Sequence, residues 1–193
     1  APNTVAIAEG WLDPFRRHRS DLAAGRPGGA ARRARLPLDA YLRLTAATNM
    51  KQRLRKLLEY HAAESRNYAV VGTPNRLEYE QGFFVRGGDG LACVKPIAHL
   101  YKTQVYALAA HLGVPRSIRE QPPSTETYTL PQTQQEFYFA LPYDQLDLIL
   151  WARDHGVPPD RVAVAMDLSP DQVERVLRDM RRKRQLARRL HQA

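Results

Sequence analysis

The apolar segment of residues 68–72 is the sequence feature that most constrains the fold. It reads Tyr-Ala-Val-Val-Gly, so it is short and contains β-branched side chains. A continuous apolar run of this length is typical of a parallel strand that is covered on both faces. Thr73 follows directly, and open α/β sheets bind ligands at the carboxyl ends of their strands. The segment therefore predicts an α/β fold with a binding site near Thr73.

A glycine-rich loop follows at residues 82–90 and holds four glycines in nine positions. Glycine lets backbone N–H groups approach a ligand closely, although such loops are also often simple turns. Basic side chains flank the loop, because Lys51, Arg53 and Arg55 precede it and Lys102 follows it. This arrangement indicates a ligand that carries phosphate groups.

Hydrophobic spacing and capping residues predict several helices. They cover residues 48–65, 99–112, 143–155, 160–167 and 170–190. Thr48 or Asn49 caps the first helix, and Ser169 caps the last one with Gln172 as its capping-box partner. A short helix, a turn and a long basic helix at this end of the chain also fit a helix-turn-helix.

Composition changes along the chain predict three segments. Residues 1–36 are expected to be irregular or linker-like, because 25–29 are rich in glycine. Residues 37–142 are expected to form a partial α/β nucleotide-binding domain with a flap at about 121–135. Residues 143–193 are expected to form a helical segment with a basic tail.

The charge of the chain favours an anionic partner. The formal net charge is +9 over 193 residues, which is typical of proteins that meet nucleotides, nucleic acids or acidic lipids. Cys93 is the single cysteine, so it excludes an internal disulfide and favours a reducing, cytoplasmic compartment. No apolar run approaches the roughly 18 residues of a membrane span.

Four motifs follow one another in the middle of the chain. They are Asn-x-Lys-x-Arg-x-Arg from Asn49, Gly-Thr-x-Asn-x-x-Glu from Gly72, Gly-Phe-Phe with Gly-Asp-Gly from Gly82, and Lys-Pro-Ile-x-x-Leu-Tyr-Lys-Thr-Gln from Lys95. In this order they resemble the ammonia-dependent NAD synthetases, the ATP-pyrophosphatase branch of the Rossmann-like adenine-nucleotide α-hydrolase fold. The likeness covers residues 48–190 and includes Pro-Ser at 123–124 and Tyr-Asp-Gln-Leu-Asp at 143–147.

The family's nucleotide loop, Ser-Gly-Gly-x-x-Ser/Asp-Ser, is not in this sequence. The chain therefore resembles the C-terminal part of such an enzyme, with a partial sheet and a helical C-terminal segment. We expect no turnover by this chain alone. A sheet without its opening strands is also expected to expose a large apolar face.

The resemblance implies a carbon–nitrogen ligase that makes NAD. The carboxylate of nicotinic acid adenine dinucleotide would attack the α-phosphate of ATP, forming an acyl-adenylate and releasing pyrophosphate. Ammonia, free or from a glutaminase partner, would then displace AMP. Such chemistry rests on positioning and on stabilising phosphate charge, with Mg²⁺ as the metal. The family's members are homodimers, so a homodimer is expected.

The resemblance also assigns roles to particular residues. Thr73, Lys102 and Ser124 would contact ATP, with Lys102 as a point charge on phosphate. Glu78 would bind Mg²⁺, because hard cations prefer carboxylate oxygens. No catalytic residue is assigned.

Five further positions concern the dinucleotide. Arg53, Arg86, Arg182 and Lys183 would contact it. Cys93 departs from the family, which usually has Asp there, so the acid dinucleotide would be bound differently or replaced by another acid. Two alternatives stay open: a relative that adenylates another carboxylate, and a basic nucleic-acid-binding module.

Overall fold

The computed structural model divides into two compact units. One comprises residues 1–46 with 120–142, and the other comprises 47–119 with 143–193. The structure describes residues 4–7, 20–24, 32–35, 37–124, 134, 138–139 and 141–191. This division differs from the three predicted segments, whose boundaries stay a prediction.

The first unit contains a small antiparallel sheet. Its strands are β1 (Thr4–Ile7), β2 (Ser20–Ala24) and β3 (Arg32–Arg35), in the order β1-β2-β3. Leu22 is paired with Val5 on one side and with Ala34 on the other. Regular strands thus occur within residues 1–36, where irregular structure was expected. The glycine-rich segment 25–29 lies outside the described residues, as does most of the expected flap.

Helix α1 is longer than the sequence predicted. It runs from Leu38 to Glu64, so it begins well before Thr48, and the chain then turns at Asn67 with a φ of 56°. Residues 38–47 are mostly Leu, Ala and other residues that a helix tolerates, and they include no glycine or proline. Thr48 and Asn49 therefore lie inside the helix, and the predicted cap is wrong.

The predicted strand at residues 68–72 is not formed as a strand. Val71 makes a single parallel bridge to Val94. Three hydrogen bonds support it: Gly72 N–H to the Val94 carbonyl at 2.8 Å, and the Cys93 and Val94 N–H groups to the Val70 carbonyl at 2.9 and 3.4 Å. A parallel strand needs neighbours that extend the ladder, and within the described residues this segment pairs only with residues 93–94. The partial sheet of the predicted fold is thus reduced to one bridge.

Three shorter helices follow this bridge. They are α2 (Arg76–Gln81), α3 (Lys102–His111) and α4 (Arg116–Arg119). Helix α2 begins with a capping box between Asn75 and Glu78 and ends at Gly82, whose φ is 72°. Gly113 follows α3 with a φ of 70°, a conformation that glycine adopts readily just past the end of a helix.

The second unit is centred on three C-terminal helices. They are α5 (Tyr143–Asp154), α6 (Pro159–Met166) and α7 (Pro170–His191), close to the predicted ranges. The predicted capping box at the start of α7 is confirmed, because the Gln172 N–H donates to Ser169 Oγ at 3.2 Å and Ser169 N–H donates to Gln172 Oε1 at 2.8 Å. The buried side chains of these helices form the core of the unit: Leu146, Ile149, Leu150, Val162, Val173, Val176 and Met180.

Many large apolar side chains remain exposed around residues 54–94. Leu57 and Leu58 on α1 are 65% and 69% exposed, and Tyr68 and Val71 are 71% and 58% exposed. Apolar side chains are thus uncovered both on α1 and in the segment 68–71. Within the described residues, no helix has the length and apolar character needed to cross a lipid bilayer.

Candidate active site

Glu78 lies in the first turn of α2, three residues after Asn75. Its Oε2 accepts the Asn75 N–H at 2.8 Å, which closes the capping box. Burial raises the pKa of the Glu78 carboxyl, and the charge of Lys102 acts against that shift. The sequence pattern Asn-x-x-Glu thus both starts the helix and places a partly buried carboxylate near a lysine.

Lys102 is the first residue of α3 and faces aromatic side chains. Its Nζ lies 5.6 Å from the centre of the Tyr106 ring and 5.4 Å from that of Tyr143. Burial, and then the charge of Glu78, raise the pKa of the Tyr143 hydroxyl and that of the Tyr106 hydroxyl, so both tyrosines stay neutral at physiological pH. The structure therefore brings together Glu78 and Lys102, two of the residues that the sequence predicted.

Asp147 on α5 holds the start of α3 in place. Its Oδ2 accepts the Thr103 N–H at 2.8 Å, and its side chain is buried. Burial raises the pKa of the Asp147 carboxyl, while hydrogen bonds from Thr103 and from the Lys102 backbone lower it. Because α3 begins at Lys102, this carboxylate fixes the backbone from which the lysine extends. Sequence analysis assigned Asp147 no role, although it ends the Tyr-Asp-Gln-Leu-Asp segment noted there.

Asp89 is a second carboxylate that sequence analysis missed. It belongs to the glycine-rich loop, and its Oδ1 accepts the Val85 N–H at 2.7 Å. Its charge raises the pKa of Glu78, and its own pKa is raised by burial and lowered by Lys56 among other groups. The only signal for it in the sequence was the Gly-Asp-Gly triplet.

The described residues supply some of the ligands that a magnesium ion needs, but not a complete set. Glu78 and Asp89 repel each other electrostatically, and a divalent cation would relieve that repulsion. However, the described residues contain no cluster of three or more His, Cys, Asp or Glu side chains that could bind a metal. Glu78 is thus suited to be one ligand among several, with Asp89 nearby.

Arg53 and Arg86 also come together, as two predicted dinucleotide contacts. Arg53 Nε donates a hydrogen bond to the Arg86 carbonyl oxygen at 3.1 Å. Next to them is a cavity of about 400 Å³, which we call the α1 cavity. It is lined by Met50, Arg53, Leu54, Lys56, Leu57, Tyr60, Gly87 and Leu91. Its walls are mainly apolar with a basic edge, which suits a planar ring attached to an anionic group.

Cys93 lies beside this cavity. Its Sγ is 3.8 Å from the hydroxyl of Tyr60, which lines the cavity, and the thiol is exposed. Burial, and then contact with Cys93, raise the pKa of the Tyr60 hydroxyl. The thiol of Cys93 and the hydroxyl of Tyr60 thus meet at the wall of the α1 cavity.

The remaining predicted residues are placed as follows. Thr73 is exposed and lies directly after Gly72. A Cβ added to Gly72 would lie only 2.7 Å from the Cβ of Ala92, so this position has no room for a side chain. Lys183 is paired with Asp179 at 2.7 Å on α7, and burial lowers its pKa. Arg182 is exposed on the same helix.

Ser124 belongs to the other compact unit, so the structure does not place it relative to Thr73 or Lys102. Its carbonyl oxygen accepts a hydrogen bond from Gln134 Nε2 at 3.4 Å.

This geometry agrees with the comparison to known families, in which the NAD synthase model matches residues 32–191. The chain belongs to the NAD synthase family. It is 56% identical over 174 residues to the NH₃-dependent NAD(+) synthetase of Rhizobium rhizogenes, covering 90% of this chain and 52% of that protein. The NH₃-dependent NAD(+) synthetase of Thermotoga maritima is 40% identical over 138 residues, covering 72% of this chain and 46% of that one. The chain thus spans about half the length of these relatives.

Solved structures show the fold of this family member. NMN synthetase from Francisella tularensis superposes with a TM-score of 0.57 at 29% identity, covering 73% of this chain and 54% of that one. The NH₃-dependent NAD synthetase from Campylobacter jejuni, solved with nitrate, gives a TM-score of 0.52 at 23% identity, covering 76% and 57%. The NAD synthetase fold is therefore confirmed, although the partial sheet is not.

Proposed function

We propose that this NAD synthase family member takes part in the ATP-dependent amidation of nicotinic acid adenine dinucleotide to NAD. The reaction forms an acyl-adenylate, releases pyrophosphate and then AMP, and uses ammonia as the nitrogen donor. The family match supports this proposal, as do relatives whose names specify NH₃ dependence. The single observation that carries it is the placement of Glu78 and Lys102 around two tyrosines, because Lys102 Nζ lies over the rings of Tyr106 and Tyr143 and the charge of Glu78 acts on both hydroxyls.

Lys102 is suited to bind a phosphate of ATP. Its ammonium faces two neutral tyrosine rings, and Asp147 fixes the backbone at the start of α3. An ammonium in such a site offers a point charge to a triphosphate. Mg²⁺ bound with Glu78 as a ligand would neutralise phosphate charge during adenylyl transfer.

The α1 cavity is suited to bind the dinucleotide substrate. Its apolar walls can cover a ring, and the guanidinium of Arg53 and the neighbouring Arg86 can pair with its phosphates. The thiol of Cys93 and the hydroxyl of Tyr60 lie where the family resemblance leads us to expect a carboxylate. We therefore propose the same substrate class, with weaker electrostatic orientation at this wall of the cavity.

Two further proposals concern the oligomeric state and the cellular location. A homodimer is proposed, because α1 exposes Leu57 and Leu58, which a second subunit would cover. A cytoplasmic location is proposed, because Cys93 is a free thiol and the described chain contains no disulfide.

The test uses a fusion of this chain to the part of the Rhizobium relative that it does not cover. NAD formation is measured from ATP, Mg²⁺, ammonia and nicotinic acid adenine dinucleotide, for the fusion and for this chain alone. We expect turnover by the fusion and none by the chain alone. In the fusion, Lys102→Ala should lower kcat/KM for ATP by about 10- to 100-fold, as the loss of a charge-assisted contact predicts.

Lys95→Ala is the matched control, because Lys95 Nζ lies over Tyr79 at 5.2 Å rather than facing Glu78. It should change kcat/KM for ATP by less than about threefold. A folded fusion that makes no NAD, or one in which both lysine variants behave alike, would refute the proposal.

The two alternative functions gain no support. The face of α7 that a helix-turn-helix would present is partly occupied, since Lys183 pairs with Asp179 and Arg184 lies 3.6 Å from Glu80. No contact in the described chain favours a different carboxylate substrate over the family's own.

A further inference from the structure

A second cavity lies on the side of α2 away from Glu78. We call it the α2–α7 cavity, and its volume is about 420 Å³. Its polar lining consists of Arg76, Glu80, His99, Arg184, Arg188 and His191, together with Tyr79. Glu78 and Glu80 are two residues apart on a helix of 3.6 residues per turn, so they point to nearly opposite sides. The cavity is therefore separate from the proposed ATP site.

The carboxylates around this cavity are already engaged. Glu80 accepts from Arg76 at 3.0 Å and from Arg153 at 2.9 Å, and it lies 3.6 Å from Arg184. Asp154 pairs with Arg153 at 2.7 Å and also with Arg76. Because both carboxylates are paired with arginines, neither adds an uncompensated negative charge to the cavity.

Arg188 adds a guanidinium to the lining that has no carboxylate within ion-pair distance in the described part of the chain. The network around the cavity thus contains four arginines and two carboxylates: Arg76, Arg153, Arg184 and Arg188 with Glu80 and Asp154. Its formal charge is therefore +2 before either histidine is counted. Guanidinium groups bind phosphate oxygens through parallel N–H donors, which an ammonium cannot do. A concave site with this charge excess favours an anion that carries more than one negative charge.

The C-terminal end of α7 is held in place at this cavity. His191 stacks on the Tyr79 ring at 4.1 Å, and its Nε2 lies 3.0 Å from the Tyr79 carbonyl oxygen. Phe84 contacts the same imidazole at 5.0 Å. Because Arg188 is one turn before His191, this anchoring fixes the helix backbone from which the Arg188 side chain extends.

We propose that the α2–α7 cavity is a binding site for a small phosphate-bearing anion, with Arg184 and Arg188 as its main ligands. Pyrophosphate has the size and the charge that this lining favours. The site is independent of the proposed amidation reaction, since it contains neither Glu78 nor Lys102.

The test measures pyrophosphate binding to this chain by isothermal titration calorimetry in EDTA and at fixed ionic strength. Arg188→Ala should weaken binding by about tenfold or more, because one charge-assisted pair is lost. Arg188→Lys should recover part of the affinity. Arg189→Ala is the matched control, because it removes the same charge from the next position of α7 but does not line the cavity. It should weaken binding by less than about threefold.

Lys102→Ala removes the ammonium of the proposed ATP site, so the pyrophosphate binding that remains in this variant is assigned to the α2–α7 cavity, and the arginine variants are also measured in that background. Far-UV circular dichroism of each variant confirms that α7 is intact. Equal losses in Arg188→Ala and Arg189→Ala would show attraction to net charge alone and would overturn the proposal. It would equally be overturned by loss of binding in Lys102→Ala, or by no binding at millimolar pyrophosphate.

Discussion

Truncation of Ile149 should strongly weaken the second unit. This side chain is fully buried on α5, two positions after Asp147. Ile149→Ala removes Cγ1, Cγ2 and Cδ1, which costs about 2.4 kcal/mol in transfer free energy at about 0.8 kcal/mol per carbon group. The cavity left behind adds roughly 1 kcal/mol, so the free energy of unfolding should fall by about 3–4 kcal/mol.

Leu148→Ala provides a control at the neighbouring position of the same helix. Leu148 is 57% exposed, so its truncation should cost about 1 kcal/mol or less. Both variants keep a good helix former on α5, and therefore differ chiefly in the burial of the side chain. Urea unfolding followed by far-UV circular dichroism at 25 °C measures the two losses directly.

One outcome of this comparison would contradict the described packing of α5. If Ile149→Ala and Leu148→Ala lower the free energy of unfolding by the same amount, α5 does not pack with the face described here. The position of Asp147, and with it the placement of Lys102, would then also be wrong.

Three further predictions concern the rim of the site and the apolar face. Gly72→Ala should lower the free energy of unfolding by about 1–3 kcal/mol in urea titrations, because the new Cβ would meet Ala92 at 2.7 Å; an unchanged midpoint would contradict the described bridge. Burial raises the pKa of Glu78 in the folded chain, so the unfolded chain ionises first as the pH rises from about 4. The free energy of unfolding of the wild type should therefore fall relative to that of Glu78→Gln until the pH passes the folded pKa. Parallel pH profiles of the two proteins would argue against the burial of Glu78. Leu57→Glu on α1 should reduce self-association in sedimentation velocity, whereas Leu112→Glu at the end of α3 should not, and equal effects would exclude α1 as the interface.

Local sequence signals predicted the helices of the second unit well. Ser169 and Gln172 form the expected capping box at α7, and Gly113 and Gly156 adopt the positive φ expected of residues that end helices. These features depend on interactions within a few residues, so a sequence contains them in full. The exception is α1, where Thr48 and Asn49 look like a cap but no residue before them interrupts the helix.

Pairings between distant residues could not be predicted in the same way. The contact of Arg53 with the Arg86 carbonyl spans 33 positions, and that of Asp147 with Thr103 spans 44. The charge of Asp89 near Glu78 depends on how the glycine-rich loop folds back. None of these pairings leaves a periodic pattern in the sequence, because each is decided by how whole helices pack.

The sequence by itself determined the family, the order of its motifs and the ends of the C-terminal helices, and it predicted a phosphate ligand from the grouping of cationic residues. Only the tertiary structure decided that the apolar segment at Val71 makes one bridge instead of a strand, since a strand of that kind requires neighbours on both sides. It also decided that α2 separates Glu78 from the basic α2–α7 cavity, because helical geometry sends adjacent acidic side chains to opposite sides.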